Sequence, residues 1–167
     1  MISNHHFLFA GVKKMDSYKT ALASLPGYLI SKFQWGCPYI HIAIVDYIDD
    51  EGIPLVWEAL ENGVVYHKLE DRPFDLFYLE AKQVEIYAVK KWLIDQIGKP
   101  YDYFGLIGFL WRREYQNDNK WFCSELAAEA LKQGGVASFN FNILKSWQVT
   151  PREFLTICKG PLKQEDV

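Results

Sequence analysis

The sequence predicts an α+β domain in which an antiparallel sheet or small barrel packs on helices. Three observations predict it. Tyr39 to Val45 and Leu55 to Ala59 read as strands on either side of the acidic turn Asp49-Asp50-Glu51-Gly52. Ile86, Val89, Leu93 and Ile97 recur at helical spacing between about Ala81 and Ile97. Leu126, Ala127, Ala130 and Leu131 make a second apolar stripe directly after Cys123.

In chain order, Phe7 to Val12 is a short strand. Ser17 to Leu25 is a helix stopped by Pro26-Gly27, and Tyr28 to Phe33 adds a further helical turn. In the strand from Tyr39 to Val45, Ile40, Ile42 and Ile44 share one face, while Tyr39, His41, Ala43 and Val45 share the other. Val64 to Leu69 and Asp75 to Leu79 are further strands. Gly98 and Pro100 end the first long helix, and Gly134-Gly135 ends the second. Thr150-Pro151-Arg152-Glu153 matches a capping box with proline at the first helical position, so a short last helix starts there.

The chain has 167 residues, 50% of them hydrophobic, which is enough for one core and short for two, so a single domain over 1–167 is expected. A net charge of −3 without long basic blocks gives no footprint for nucleic acid. Cys37, Cys123 and Cys158 are odd in number and lack the C-x-x-C pairing of a zinc site or a thioredoxin-like motif, and a disulfide framework is not indicated either. The start Met1-Ile2-Ser3-Asn4-His5-His6 lacks the basic and apolar regions of a secretory signal. The longest apolar run, Phe104 to Trp111, is far short of the ~20 residues that span a bilayer. A cytoplasmic protein without a transmembrane segment is the expectation, and no cofactor or metal is indicated.

Cys123 falls in the first turn of its helix. There, backbone N–H groups and the helix dipole favour thiolate over thiol and could also donate to an oxyanion. Glu125, two residues on, opposes a second negative charge. The sequence leaves open which effect prevails, and a lone helical cysteine is more often a small buried hydrophobe. A strand histidine with a carboxylate on the next strand changes that balance, since a base and its orienting group need that arrangement. If Glu58 lies opposite His41 or opposite Ala43, the two side chains share a face; a register displaced by one residue separates them. The turn length fits the Ala43 pairing better, making His41 and Glu58 diagonal neighbours.

Among the other candidates, Cys37 has no helix terminus to activate it, and Cys158 has no histidine nearby in sequence. His67 alternates with Tyr66 and Lys68 and reads as a surface or packing residue; His5-His6 reads as an unordered end. A zinc site from His41, His67, Glu58 and Cys123 is conceivable by residue type, without diagnostic spacing.

The segments Tyr39-Ile40-His41-Ile42-Ala43-Ile44-Val45, Trp57-Glu58-Ala59 with Gly63-Val64, Gly98-Lys99-Pro100-Tyr101-Asp102, and Trp121-Phe122-Cys123-Ser124-Glu125-Leu126 together resemble the permuted NlpC-type papain-like cysteine peptidases, the YiiX-like proteins. The same order occurs in the lecithin:retinol acyltransferase group. The resemblance covers about residues 39 to 131 and implies a circularly permuted papain-like fold with the nucleophile at a helix N-terminus. It also implies Cys123 as nucleophile, His41 as general base, Glu58 as the group orienting the imidazole, and Tyr101 as a substrate-binding residue. The long gap between His41 and Glu58, and the aromatic loop Tyr103 to Tyr115, depart from the family pattern.

The expected activity is that of a thiol hydrolase, an amidase or peptidase. It would form a thioester at Cys123 on a small peptide, a peptidoglycan fragment or an acylated amino compound. The alternatives are acyl transfer of the lecithin:retinol type on lipid-like amides or esters, and a binding protein that keeps a papain-like shell without turnover.

Overall fold

The computed structural model describes residues 6–13, 37–70, 72–105, 119–136 and 145–162. Five strands form one antiparallel sheet: β1 (His6–Lys13), β2 (Tyr39–Ile48), β3 (Pro54–Leu60), β4 (Gly63–Lys68) and β5 (Phe74–Glu80), in the spatial order β4-β3-β2-β1-β5. Short turns make β2, β3 and β4 consecutive neighbours, whereas β5 crosses to pair with β1. The sheet is open, with β4 and β5 at its edges, so of the two expected forms it is a sheet and not a barrel. Among the described residues the helices are α1 (Gln83–Ile94), α2 (Cys123–Gln133) and α3 (Pro151–Ile157), with a 3-10 turn at Ser146–Gln148 before α3. The helices expected over Ser17 to Leu25 and Tyr28 to Phe33 lie outside the described residues, as does most of Phe104 to Trp111.

Alternation along the strands divides the core in two. Phe7, Phe9, Ile42, Ile44, Trp57, Phe77 and Leu79 face the helices, meeting Val89 and Leu93 of α1, Leu126 and Leu131 of α2 and Phe154 of α3. Ala10, Val12, Ala43, Val45, Val56 and Leu76 form a smaller cluster with Leu69. Helix α2 lies deepest: from Cys123 to Leu131 only Glu129 is not fully buried. At about 1.5–3 kcal/mol for each fully buried aliphatic side chain, Leu126 and Leu131 alone fasten it firmly. The end of α2 that carries Cys123 is thereby held against the sheet.

Helix α1 is shorter than its apolar repeat predicts. The amides of Asp95, Gln96 and Ile97 bond back three residues, to Trp92, Leu93 and Ile94, and this tighter winding turns Ile97 outward, 47% exposed. Ile97 is therefore not a core residue; the stripe ends at Leu93. The β2–β3 register runs Ile44 to Trp57 and Val45 to Val56, then shifts so that Tyr47 meets Leu55, leaving Asp46 as an extra residue. Asp46 accepts a hydrogen bond from the Tyr66 hydroxyl (2.6 Å) and an ion pair from Lys90, tying α1 to this irregularity.

Edge strand β4 continues into the segment before α2. Val64 N–H donates to the Lys99 carbonyl and Gly98 N–H to the Val64 carbonyl, both at 2.9 Å. Trp121 N–H then donates to Pro100 (3.2 Å) and Asp102 N–H to Trp121 (3.1 Å). Gly63 is required at the start of this ladder: its φ is +113°, and a Cβ there would lie 2.7 Å from the Lys99 oxygen. The ladder places Tyr101 beside Trp121, two residues before Cys123.

Candidate active site

Carried one residue beyond Ile44 and Trp57, the β2–β3 register sets Glu58 across from Ala43 and diagonal to His41, on the same face. The contact is made: Nε2 of His41 lies 2.6 Å from Oε2 of Glu58. The His41 side chain is 16% exposed and that of Glu58 is fully buried. With Nε2 committed to the carboxylate, Nδ1 is the ring nitrogen left for the hydrogen bond to Cys123.

Cys123 is the first residue of α2. Its N-cap, Phe122, is extended and makes no side-chain cap, so first-turn amides are left for other acceptors. The sulfur uses them. It accepts from the Ser124 N–H and, across the gap to the sheet, from the Ile42 N–H, which lies short of the point where β2 begins pairing with β3. Burial penalises charge on this sulfur, yet the adjoining His41 and the two amides hold the thiol below the ordinary cysteine range. The part of that lowering that belongs to the helix terminus is the Ser124 N–H, and it comes after His41 and Ile42. Burial likewise opposes charge on His41, but the Cys123 sulfur and then the Glu58 carboxylate raise it from 6.5 to about 10. Glu58 is pulled well below the usual carboxylate range in spite of its burial, first by His41 and next by Arg72. All three shifts favour a thiolate beside an imidazolium, with a carboxylate behind the ring.

Tyr101 is buried, and its hydroxyl is pushed upward by that burial and by the negative charge of Cys123. It therefore stands within electrostatic reach of the sulfur, its ring 5.0 Å from that of Tyr103. The other cysteines are differently placed. Cys37 donates to the Tyr39 carbonyl (3.6 Å), and Cys158 to that of Phe154 (3.5 Å), where burial pushes its thiol up to about 12.

Two expectations are corrected. His67 is neither a surface nor a packing residue alone: its Nε2 lies 2.5 Å from Oε1 of Glu58. The signal was present, because the two-residue turn Glu61-Asn62 pairs Glu58 with Val65, which sets His67 diagonal to Glu58 on the same face. Arg72, whose Nη2 bonds the same oxygen, is the other residue missed, and no strand periodicity reaches it. His6 is not part of an unordered end; it opens β1, with its ring edge against Tyr78 at 4.8 Å. His5 lies outside the described residues.

Among the described residues, no group of three or more His, Cys, Asp or Glu side chains could hold a metal ion. No helix among them is long and apolar enough to cross a membrane. Protein-family models give no match to the sequence, and neither do curated proteins.

Proposed function

We propose that the chain is a cysteine-dependent hydrolase of the amidase or peptidase class, built on the permuted NlpC-type papain-like fold that its sequence resembles. The observation that carries this reading is the continuous contact from the Cys123 sulfur to the His41 ring to the Glu58 carboxylate, with each group shifted toward its charged form.

In this reading the Cys123 thiolate attacks the carbonyl carbon of an amide or ester. A C–S bond forms, and the carbonyl oxygen takes the negative charge near the α2 N-terminus. The His41 imidazolium protonates the leaving nitrogen or oxygen as its bond to carbon breaks, leaving a thioester and a neutral imidazole. That imidazole then takes a proton from water, whose oxygen attacks the thioester, and the sulfur departs again as thiolate beside His41. Glu58 fixes the tautomer, since its acceptance of the Nε2 proton leaves Nδ1 to exchange protons with sulfur, leaving group and water. Tyr101 is assigned to substrate contact beside the sulfur. The substrate class is the one the resemblance implies: a small peptide, a peptidoglycan fragment or an acylated amino compound.

The test is acylation by p-nitrophenyl acetate followed by intact-mass and peptide analysis. An acetyl group on Cys123 that disappears with time, and is missing from Cys123→Ala, supports the hydrolase. No acyl group on Cys123 under conditions where nitrophenol is released elsewhere defeats it. Adding a primary amine and finding N-acetylated product would favour the transferase alternative.

A further inference from the structure

An imidazole needs one oxygen to orient it, yet among the described residues Glu58 receives three donors. Oε2 takes His41, while Oε1 takes both Nε2 of His67 and Nη2 of Arg72. The carboxylate is wholly buried, whereas the His67 and Arg72 side chains are 39% and 27% exposed. A buried charge is thus held by one partner on the Cys123 side and by two at the rim. The two rim donors come from β4 and from the connection between β4 and β5.

We propose that Arg72 and His67 are positioning residues, which act on Cys123 through Glu58 and His41 by pinning Oε1 and keeping the carboxylate ionised. The proposal rests on the roles given above to Cys123 and His41. Two physical arguments lead to it. The terminal torsion of a glutamate is broad, so donors fixed on Oε1 remove a freedom that would let Oε2 swing off Nε2 of His41. A carboxylate buried without a cation also draws a proton, and the nearest one is on His41. If Glu58 took it, the ring would lose its charge and the sulfur would lose its cation. Arg72 stands next after His41 among the groups that hold Glu58 ionised.

Among the described residues, the titratable and charged groups facing Glu58 are His41 from β2, His67 from β4 and Arg72; Cys123 is faced by His41 and, across from the ladder segment, by Tyr101. The readout is the rate of iodoacetamide alkylation at Cys123 across acid and neutral pH, which needs no substrate. In Arg72→Gln the acid limb of that profile should move up by about one pH unit, so alkylation on the limb slows about tenfold. Arg72→Lys, which keeps the charge, should stay close to wild type and still reports if the glutamine variant fails to fold. His67→Ala should move the limb in the same direction and His67→Gln, which keeps an N–H donor, should restore most of it. In a Glu58→Gln background, Arg72→Gln should add nothing further.

An acid limb unmoved by Arg72→Gln, a Lys variant as impaired as the Gln variant, or an equal Arg72 effect with and without Glu58 overturns the proposal while leaving the hydrolase reading intact. A wild-type Cys123 no more reactive at about pH 6 than Cys158 would defeat the hydrolase reading itself, and this proposal with it.

Discussion

Cys123 and Cys158 are both largely withdrawn from water, and both sit at a helix end, yet the protein drives their thiols in opposite directions. Cys158 closes the C-terminus of α3, where it donates to the Phe154 carbonyl, and burial alone pushes it up to about 12. Cys123 opens α2, where His41 stands beside the sulfur and the amides of Ile42 and Ser124 point at it, and its thiol is lowered although it is the more deeply buried of the two. Burial is common to both, so burial cannot decide reactivity. The decision lies with the helix end and the neighbouring cation: backbone donors and positive charge favour thiolate, whereas carbonyls and an apolar wall favour thiol.

The sharpest way to break this contrast is to remove the cation. In His41→Ala, Cys123 retains its helix terminus but loses its ring partner, and its alkylation by iodoacetamide at about pH 6 should fall roughly a hundredfold, corresponding to about two pKa units. Cys158 should react at the same low rate in both proteins. If Cys123 stayed fast, the helix amides alone would activate it and the imidazole would have no part in the difference.

A smaller effect is expected from Glu58→Gln, which keeps the shape of the side chain but not its charge. Loss of the carboxylate removes one of the influences that raise His41, so alkylation near neutral pH should slow about tenfold. The variant also has a stability signature. Glu58 has a depressed folded-state pKa, so its stabilising contribution is complete above its unfolded value of about 4.5 and is lost as pH falls from there toward the folded value. Wild type should therefore lose thermal stability steeply below about pH 4.5 while Glu58→Gln loses less, measured as the change in Tm between neutral and acid buffer. Parallel acid sensitivity in the two proteins would show that the carboxylate is not held ionised by its partners.

How much of this contrast the sequence carries depends on the range over which each contact is decided. Period-2 alternation and the acidic turn pointed to His41 and Glu58 sharing a face. The register next to the turn, Ile48 to Pro54 and Tyr47 to Leu55, would by itself set Glu58 across from Ile44, and it is the extra residue Asp46 that restores the shared face. The helix after Cys123 was equally legible from its stripe and its glycines. His67 needed a second register, between β3 and β4, and Arg72 reaches Glu58 from a connection whose path no periodicity dictates. Ile97 misled because it continues the apolar repeat of α1 beyond the residue where the winding tightens. The sulfur's contact with Ile42 was also out of reach, since it depends on where the β2–β3 ladder begins.

The smallest predicted effect tests whether the two helix ends are independent. At the start of α3, the Thr150 hydroxyl accepts from the Glu153 amide (3.0 Å), and the Glu153 carboxylate accepts from the Thr150 amide (2.9 Å), the reciprocal box expected from the sequence. Thr150→Ala removes the hydroxyl and should cost about 1 kcal/mol, a fall in Tm of about 2–4 °C for a chain of this size. Helix α3 is anchored by Phe154, whose ring meets that of Phe9 at 4.8 Å, so it should loosen and not detach. Its C-terminus then frays more often, and Cys158 should be alkylated somewhat faster in alkaline buffer, where its thiolate begins to form. Cys123 should be unaffected, because the groups that lower its thiol come from β2 and from α2 itself. A parallel decline at Cys123 would mean that its activation depends on the packing of α3, and the contrast between the two sulfurs would then belong to the whole core and not to the two helix ends.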